Sequence, residues 1–201
     1  DYWTDPLKLQ KQVDFLEEHD DYSLCYHRVK ILQNDELISD NNDVTEKRYR
    51  NITEKCNLNI IDLLDQGNFI HTPSVVFRKS SLISIPFETK YSTVGDYFLY
   101  ILLTVNKGLI KKIDTQMSVY RRGNGIYSSL DSLEISYKVI QYKLCLLSFL
   151  NNDDYNKILL PKVIKQLENI KKRELSKKRI KDFTIKEHFI QILKKIKRRV
   201  L

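Results

Sequence analysis

Residues 1–12 read Asp1-Tyr2-Trp3-Thr4-Asp5-Pro6-Leu7-Lys8-Leu9-Gln10-Lys11-Gln12. They predict a strand or loop that passes directly into a helix. Asp5 is placed to cap this helix, and Pro6 occupies its first position, where a missing N–H costs nothing. The run continues to Glu18 without a helix breaker. We also expect an ordered part of the protein to precede Asp1.

Strand patterns follow this helix. Residues 22–32 are rich in aromatic and β-branched side chains and alternate with period two in their second half, which predicts a strand. Residues 33–51 are polar and acidic, which predicts a loop with a turn at Asn34-Asp35. Further strands are predicted at residues 74–78, 109–113 and 116–122, the last two as separate strands or a hairpin.

Helical patterns alternate with these strands and then replace them. A short helix is predicted over residues 58–64, ending near Gly67. Residues 93–106 are apolar on nearly all sides, which predicts a buried helix closed by Gly108. After about residue 127 the whole chain is predicted to be helical. The sequence therefore predicts an α/β fold, with a first domain over residues 1–128 and a helical extension over residues 129–201.

Composition is that of a globular protein. The chain has 201 residues, of which 42% are hydrophobic, and this is enough to bury a sizeable core. Its three cysteines, Cys25, Cys56 and Cys145, are scattered and odd in number, which favours a reducing compartment over a disulfide framework. No apolar stretch reaches the roughly 18 residues of a membrane span, since Glu134 and Lys138 interrupt the longest one. We therefore expect a cytoplasmic location.

All of the basic excess lies in the C-terminal third. Residues 1–130 carry 16 Lys/Arg against 18 Asp/Glu, a net charge of −2, whereas residues 131–201 carry 18 against 8, a net charge of +10. Residues 184–201 place apolar side chains at helical spacing among lysines and arginines. Such a basic amphipathic helix either lies on an anionic membrane, here the inner face of the plasma membrane, or docks on the domain. Nucleic-acid binding is a third possibility for this helix, but no DNA- or RNA-binding motif accompanies it, so we expect no nucleic-acid partner.

Four short pieces, in this order and spacing, resemble family 2 glycosyltransferases of the GT-A fold, of the type that makes bacterial surface polysaccharides. The pieces are the Asp1–Gln12 stretch, the His71–Arg78 stretch, the Gly95-Asp96 pair and the Tyr120-Arg121 turn. The resemblance covers about residues 1–128. It implies the C-terminal part of a Rossmann-like GT-A domain, whose nucleotide-binding half would precede Asp1. It also implies an inverting hexosyltransferase that moves a sugar from a nucleotide diphosphate donor, expected to be a UDP-sugar, to a hydroxyl of a glycan or lipid-linked acceptor.

Asp96 is the strongest candidate for a chemical role. A carboxylate near the start of an apolar helix either accepts backbone N–H bonds without further chemistry or points its oxygens into a cleft. The resemblance implies that Asp96 is the general base that deprotonates the acceptor hydroxyl. It also implies that Gly95, His71 and Ser74 line the pocket. From the residues alone, His71 is more typical of a hydrogen-bonded structural histidine.

The resemblance also implies residues that contact the donor. Asp1 would be the last acidic residue of a D-x-D-like motif and hold a divalent cation, Mn²⁺ or Mg²⁺. Trp3 and Lys8 would lie near the diphosphate, although taken alone Trp3 is more typical of core packing and Lys8 of a solvated side chain. Arg121 and Arg122 precede a glycine-rich turn, a pattern that suits phosphate contact. The family has a histidine at this turn that the chain lacks, so we expect both arginines to stabilise the leaving group.

The alternative to an enzyme is a non-catalytic α/β module whose basic helical tail binds a membrane surface or a nucleic acid. Metal-dependent binding of a UDP-sugar would favour the transferase. Salt-sensitive binding to lipid or DNA without affinity for nucleotides would favour the module.

Overall fold

A computed structural model describes residues 1–38, 52, 55, 57–92, 94–106, 108–123 and 130–177, with side chains described up to residue 172. The chain belongs to the mixed α/β class, as predicted. Its residue contacts divide it into two compact units. The first unit comprises Asp1–Ile85 and Gly95–Ser129, and the second comprises Pro86–Val94 and Leu130–Leu201.

The first helix begins later than the sequence predicts. Helix α1 spans Lys8–Glu18, and its N-cap residue, Leu7, makes no side-chain capping bond. Asp5 instead accepts a hydrogen bond from the backbone N–H of Leu7, with 2.8 Å between the two atoms, because residues 6–7 form a turn before the helix. Helix α1 buries Lys8, Gln12 and Leu16, which lie on one face at intervals of four residues.

The described strands form one mixed sheet in the first unit. In chain order the strands are β1 (Tyr2–Trp3), β2 (Tyr22–Gln33), β3 (Glu36–Ile38), β4 (Val76–Phe77) and β5 (Leu109–Arg121). The spatial order is β1-β5-β2-β3, and β4 pairs with β2. The long central strands β2 and β5 run parallel, and every other pair is antiparallel.

Three strand predictions need correction. Residues 109–121 form one strand rather than two, because β5 absorbs the break as an irregularity in its register with β2 between residues 113 and 116. Strand β4 is shorter than predicted, since residues 72–74 form a 3₁₀ turn before it. Strand β3 lies within the predicted loop. The turn that leads into it, Asn34-Asp35, is confirmed by positive φ angles of 51° and 62°.

Two more α-helices of the first unit contribute buried residues to it. Helix α2 spans Ile60–Gln66 and ends at Gly67, whose φ of 86° favours glycine, as predicted. Helix α3 spans Gly95–Thr104 and buries seven of its ten residues. Gly108 is not the cap of α3 but a point of close approach, since a Cβ atom there would lie 1.7 Å from the Ser23 Oγ.

The second unit is mainly a pair of helices. Helix α4 spans Ser132–Leu150 and starts with a capping box formed by Asp131 and Glu134. Helix α5 spans Asp153–Lys177, and a 3₁₀ turn at residues 87–91 packs on α4. Among the described residues, no helix is both long and apolar enough to cross a membrane. The predicted basic helix at residues 184–201 lies outside the described residues.

Candidate functional site

Asp96 lies in the first turn of α3, and three donors converge on its half-buried carboxylate. Its Oδ2 accepts hydrogen bonds from the Asn68 Nδ2 and from the Thr72 Oγ1, each at 3.2 Å. Its Oδ1 accepts one from the backbone N–H of Tyr97 at 2.7 Å. The carboxylate is therefore held in one orientation by two side chains from outside its own helix. The structure thus places two extra side chains around the predicted base.

The loop that supplies these side chains, residues 68–74, is itself anchored. The Asn68 Oδ1 accepts from the backbone N–H of Ile70 at 3.2 Å, which fixes the loop at its start. The Ser74 hydroxyl and backbone N–H both donate to the carbonyl of His71, at 2.6 and 2.9 Å. The carbonyl of Ser74 accepts from the Gln12 Nε2 at 2.8 Å, which connects the loop to α1. Ser74, predicted to line a pocket, is fully buried and has this anchoring role.

Tyr100 lies one turn after Asp96 on α3 and carries a buried hydroxyl. Its side chain is 1% exposed, and its hydroxyl makes no well-aligned hydrogen bond within the described part of the chain. Burial raises the pKa of Tyr100, and the charge of Asp96 raises it further. The Thr72 hydroxyl lowers the pKa of Tyr100, so it lies near the Tyr100 oxygen. Tyr100 therefore stays protonated and is available to donate.

Contacts connect the end of the sheet at Asp1 and Arg121 with the loop of residues 68–74. The Asp1 Oδ1 accepts from the backbone N–H of Arg121 at 2.8 Å, in continuation of the pairing between β1 and β5. The rings of His71 and Tyr120 lie 4.7 Å apart between centroids. Since Thr72 contacts Asp96, residues that are distant in the sequence form one continuous series of contacts within the first unit.

The two predicted arginines are placed differently. Arg121 is the last residue of β5 and is exposed. Arg122 is partly buried, and its backbone N–H donates to the carbonyl of Leu32 at 2.9 Å. The neighbouring Gly123 has a φ of 104°, in the left-handed region that favours glycine, and the rest of the predicted glycine-rich turn lies outside the described residues. Both arginines thus lie at the end of the sheet where Asp1 contacts β5.

Trp3 and Lys8 reverse the environments expected from the residues alone. Trp3 is 55% exposed rather than packed in a core, and Lys8 is 1% exposed rather than solvated. The Lys8 Nζ lies 4.6 Å from the centroid of the Trp3 ring, within the range of a cation–π contact. Burial lowers the pKa of Lys8. The structure therefore pairs the two residues, with the ammonium against one face of the indole.

Lys8 belongs to a buried polar group that we call the α1 layer, made of Lys8, Gln12, Cys25 and His27. Gln12 donates to the carbonyl of Cys25 at 3.3 Å, and every member is at most 1% exposed. His27 donates from Nδ1 to the carbonyl of Arg28 at 2.7 Å, which leaves Nε2 unprotonated in the neutral ring. The Gln12 Oε1 and the His27 Nε2 have no hydrogen-bond partner among the described residues. Burial lowers the pKa of His27 to about 4 and raises that of Cys25 to about 11.

The described residues do not make up a metal site around Asp1. They include no group of three or more His, Cys, Asp or Glu side chains arranged to hold a metal ion. Asp1 is exposed, and its Oδ1 is already engaged by Arg121. Because Mg²⁺ and Mn²⁺ bind several oxygen ligands, a single carboxylate is an incomplete donor set. The divalent cation remains a prediction, and we derive no chemical step through it.

Sequence reasoning missed Asn68, Thr72 and Tyr100. Each is polar. Asn68 and Thr72 lie in the segment before β4 that resembles the cleft-lining segment of the family, but neither position was singled out within it, since Asn68 follows a helix-ending glycine and Thr72 precedes Pro73. Tyr100 lies inside an apolar run, where it is indistinguishable from a core residue. Its spacing of four from Asp96 is the one available signal, because residues four apart share a helix face.

Comparisons with known proteins do not define the protein more closely than the mixed α/β class of its fold. The chain is 34% identical over 131 residues to an uncharacterized protein of Mycobacterium tuberculosis and equally to one of Mycobacterium bovis. The match covers 64% of this chain and 34% of each relative, so the chain spans about a third of the length of these relatives. No family model matches the chain, and no solved structure matches it.

Proposed function

We propose that the chain is the C-terminal part of an inverting GT-A glycosyltransferase that transfers a sugar from a nucleotide diphosphate donor to a hydroxyl of a glycan or lipid-linked acceptor. The observation that carries the proposal is the Asp96 carboxylate, which is half-buried, fixed by three donors and located at a helix start. A general base needs this combination of fixed orientation and access. The resemblance to family 2 glycosyltransferases supplies the reaction type.

In this reaction Asp96 takes the proton of the acceptor hydroxyl as its oxygen attacks the anomeric carbon. The bond between the anomeric carbon and the diphosphate oxygen breaks, and the electron pair leaves with the diphosphate. Attack from the face opposite the leaving group inverts the anomeric configuration. The part of Asp96 is to accept the proton, and general bases of this kind contribute roughly 10²–10⁴-fold to a rate.

Cationic side chains would stabilise the departing diphosphate. Arg121 is exposed at the end of β5, where its guanidinium can reach an anion in solvent. The planar fork of a guanidinium matches the oxygens of a phosphate group and keeps its charge at all relevant pH values. Arg122 lies next to it, beside the Gly123 turn. We assign both arginines to the leaving group and Trp3, the exposed partner of the buried Lys8, to the neighbouring donor surface.

The substitution Asp96→Asn tests the base. Asn keeps the shape of the side chain, and its amide oxygen can still accept from Asn68 and Thr72, but it cannot take a proton. We expect turnover to fall at least about 100-fold, while the midpoint of thermal unfolding stays within a few degrees. The full-length protein is assayed. Turnover is measured as the UDP that it releases from UDP-glucose, UDP-galactose and UDP-N-acetylglucosamine. Water or added saccharides serve as the hydroxyl acceptor.

Asp14→Asn is the matched control, because Asp14 is an exposed helical aspartate that contacts Gln10 on α1. This variant should turn over at the wild-type rate. Near-normal turnover of Asp96→Asn would exclude Asp96 as the base and remove the main support for a transferase.

A further inference from the structure

The two oxygens of the Asp96 carboxylate have different surroundings. Oδ2 accepts two side-chain donors, Asn68 and Thr72, each at 3.2 Å. Oδ1 accepts one backbone donor, Tyr97, at 2.7 Å. A carboxylate oxygen offers about two lone-pair positions, so both positions on Oδ2 are occupied. Within the described part of the chain, one position on Oδ1 stays open.

This difference determines where a proton can be added. A carboxylate only accepts hydrogen bonds, so both the Thr72 hydroxyl and the Asn68 amide must point a hydrogen at Oδ2. Adding a proton to Oδ2 would set it against these two hydrogens. Adding it to Oδ1 leaves Oδ2 as a carbonyl oxygen that keeps both bonds. Protonation at Oδ1 therefore keeps both side-chain hydrogen bonds to Oδ2, whereas protonation at Oδ2 would break at least one of them.

The Tyr100 hydroxyl favours the orientation in which the Thr72 hydroxyl points its hydrogen at the Asp96 Oδ2. The hydroxyl of Thr72 uses its hydrogen on Asp96 and keeps its lone pairs available to accept. Tyr100 is buried, lies one turn from Asp96 and has a hydroxyl with no aligned partner among the described residues. A hydrogen bond from Tyr100 to Thr72 would satisfy that hydroxyl and strengthen the bond from Thr72 to Asp96.

From this geometry we infer that Thr72 and Asn68 are positioning residues for proton transfer and that the Asp96 Oδ1 is the oxygen that takes the proton. The inference rests on the proposed function. The acceptor O–H bond breaks as the bond from its oxygen to the anomeric carbon forms, the proton goes to Oδ1, and the diphosphate leaves with the electron pair. Thr72 and Asn68 hold Oδ2 throughout, and neither exchanges a proton with the substrates.

The test compares Thr72→Val with Thr72→Ser. Valine has nearly the shape of threonine but lacks the hydroxyl, whereas serine keeps it. The measurement is UDP release from the same three UDP-sugars. We expect Thr72→Val to lower kcat about 10- to 100-fold and to leave KM within about twofold of wild type, because a misplaced catalytic group costs up to about 100-fold. Thr72→Ser should stay within about threefold of wild type. A merely structural role would not give this split between kcat and KM together with rescue by serine.

A double-mutant cycle in thermal unfolding tests the contact without any turnover. Thr72→Val should lower Tm by more in the wild-type background than in the Asp96→Ala background, since the hydrogen bond is already absent in the latter. Equal Tm shifts in both backgrounds, or equal kcat values for the valine and serine variants, would overturn the inference. Unchanged turnover of Asp96→Asn together with a non-additive Tm cycle would instead reject the proposed base and leave the contact intact.

Discussion

Two polar regions of the first unit, the Asp96 carboxylate and the α1 layer, are built in opposite ways. At Asp96, three donors contact a half-buried carboxylate, and one acceptor position on its Oδ1 is without a partner among the described residues. In the α1 layer, the polar groups are at most 1% exposed, and two acceptor atoms have no partner among the described residues. The first arrangement holds the Asp96 carboxylate in place, and its hydrogen bonds offset the cost of removing it from water. The second contains buried polar groups whose desolvation lowers stability.

A hydrogen bond connects the two regions. Gln12 belongs to the α1 layer, and its Nε2 donates to the carbonyl of Ser74 at 2.8 Å. Ser74 ends the loop that carries Asn68 and Thr72. The position of the Asp96 donors therefore depends in part on the α1 layer. The hydrogen bond from Gln12 to Ser74 therefore offsets part of the cost of burying the Gln12 Oε1, which has no partner among the described residues.

The largest expected effect on stability comes from His27 and depends on pH. The ordinary pKa of histidine is 6.5, and burial lowers that of His27 to about 4. Above about pH 6.5 the residue is neutral in both states and has no effect. Between pH 6.5 and 4 the unfolded chain binds a proton that the folded protein does not, so stability falls as pH falls. The full loss is about 3 kcal/mol, measured by urea unfolding across this pH range.

His27→Asn is the control, because the Asn Nδ2 can replace the Nδ1 donor to Arg28 but does not titrate. The variant should show a clearly weaker pH dependence between pH 4 and 6.5. An identical dependence in both proteins would mean that His27 is not held neutral, and the contrast with Asp96 would then be smaller than the structure indicates.

The next effect comes from Gln12→Leu. Leucine fills a similar volume but leaves the buried carbonyls of Ser74 and Cys25 without this donor. We expect a loss of about 2 kcal/mol in the free energy of unfolding, typical of a buried acceptor deprived of its partner. Turnover should fall as well, since the loop with Thr72 loses an anchor. Gln10→Leu, at an exposed position of the same helix, should change neither quantity.

The smallest effect is expected from Lys8→Met and has the opposite sign. Methionine has a similar length and carries no charge, so the cost of burying an ammonium disappears. The lost cation–π contact with Trp3 offsets part of the gain, which leaves a stabilisation of about 1 kcal/mol. Urea unfolding followed by the fluorescence of Trp3, the one tryptophan in the sequence, measures it.

Lys11→Met is the matched control, since Lys11 lies on the exposed side of α1 and pairs with Asp5 at 2.6 Å. It should not stabilise the protein. A clear destabilisation by Lys8→Met would show that the ammonium has a favourable partner and that the α1 layer resembles the Asp96 site more closely than the described contacts indicate.

Sequence patterns predicted most elements of the first unit but not all of their bounds. The aromatic and β-branched run at residues 22–32 is confirmed as β2, because such side chains pack well on a pleated surface. The start of α1 was wrong by two residues, since residues 6–7 turn before the helix begins. The separation of residues 109–122 into two strands was wrong, because long pairing with β2 tolerates an irregularity that a local pattern cannot show.

Local sequence patterns were sufficient to predict the α/β class, the helical character of residues 132–150 and the position of Asp96 at a helix start, since these follow from local propensity and periodicity. In contrast, the burial of Lys8, the exposure of Trp3 and the placement of Asn68 and Thr72 around Asp96 arise from packing between distant parts of the chain. Burial and hydrogen-bond partners depend on contacts between residues 24 and 28 positions apart in the chain, as at Asp96. No local pattern encodes such contacts, because they form only when strands and helices pack together.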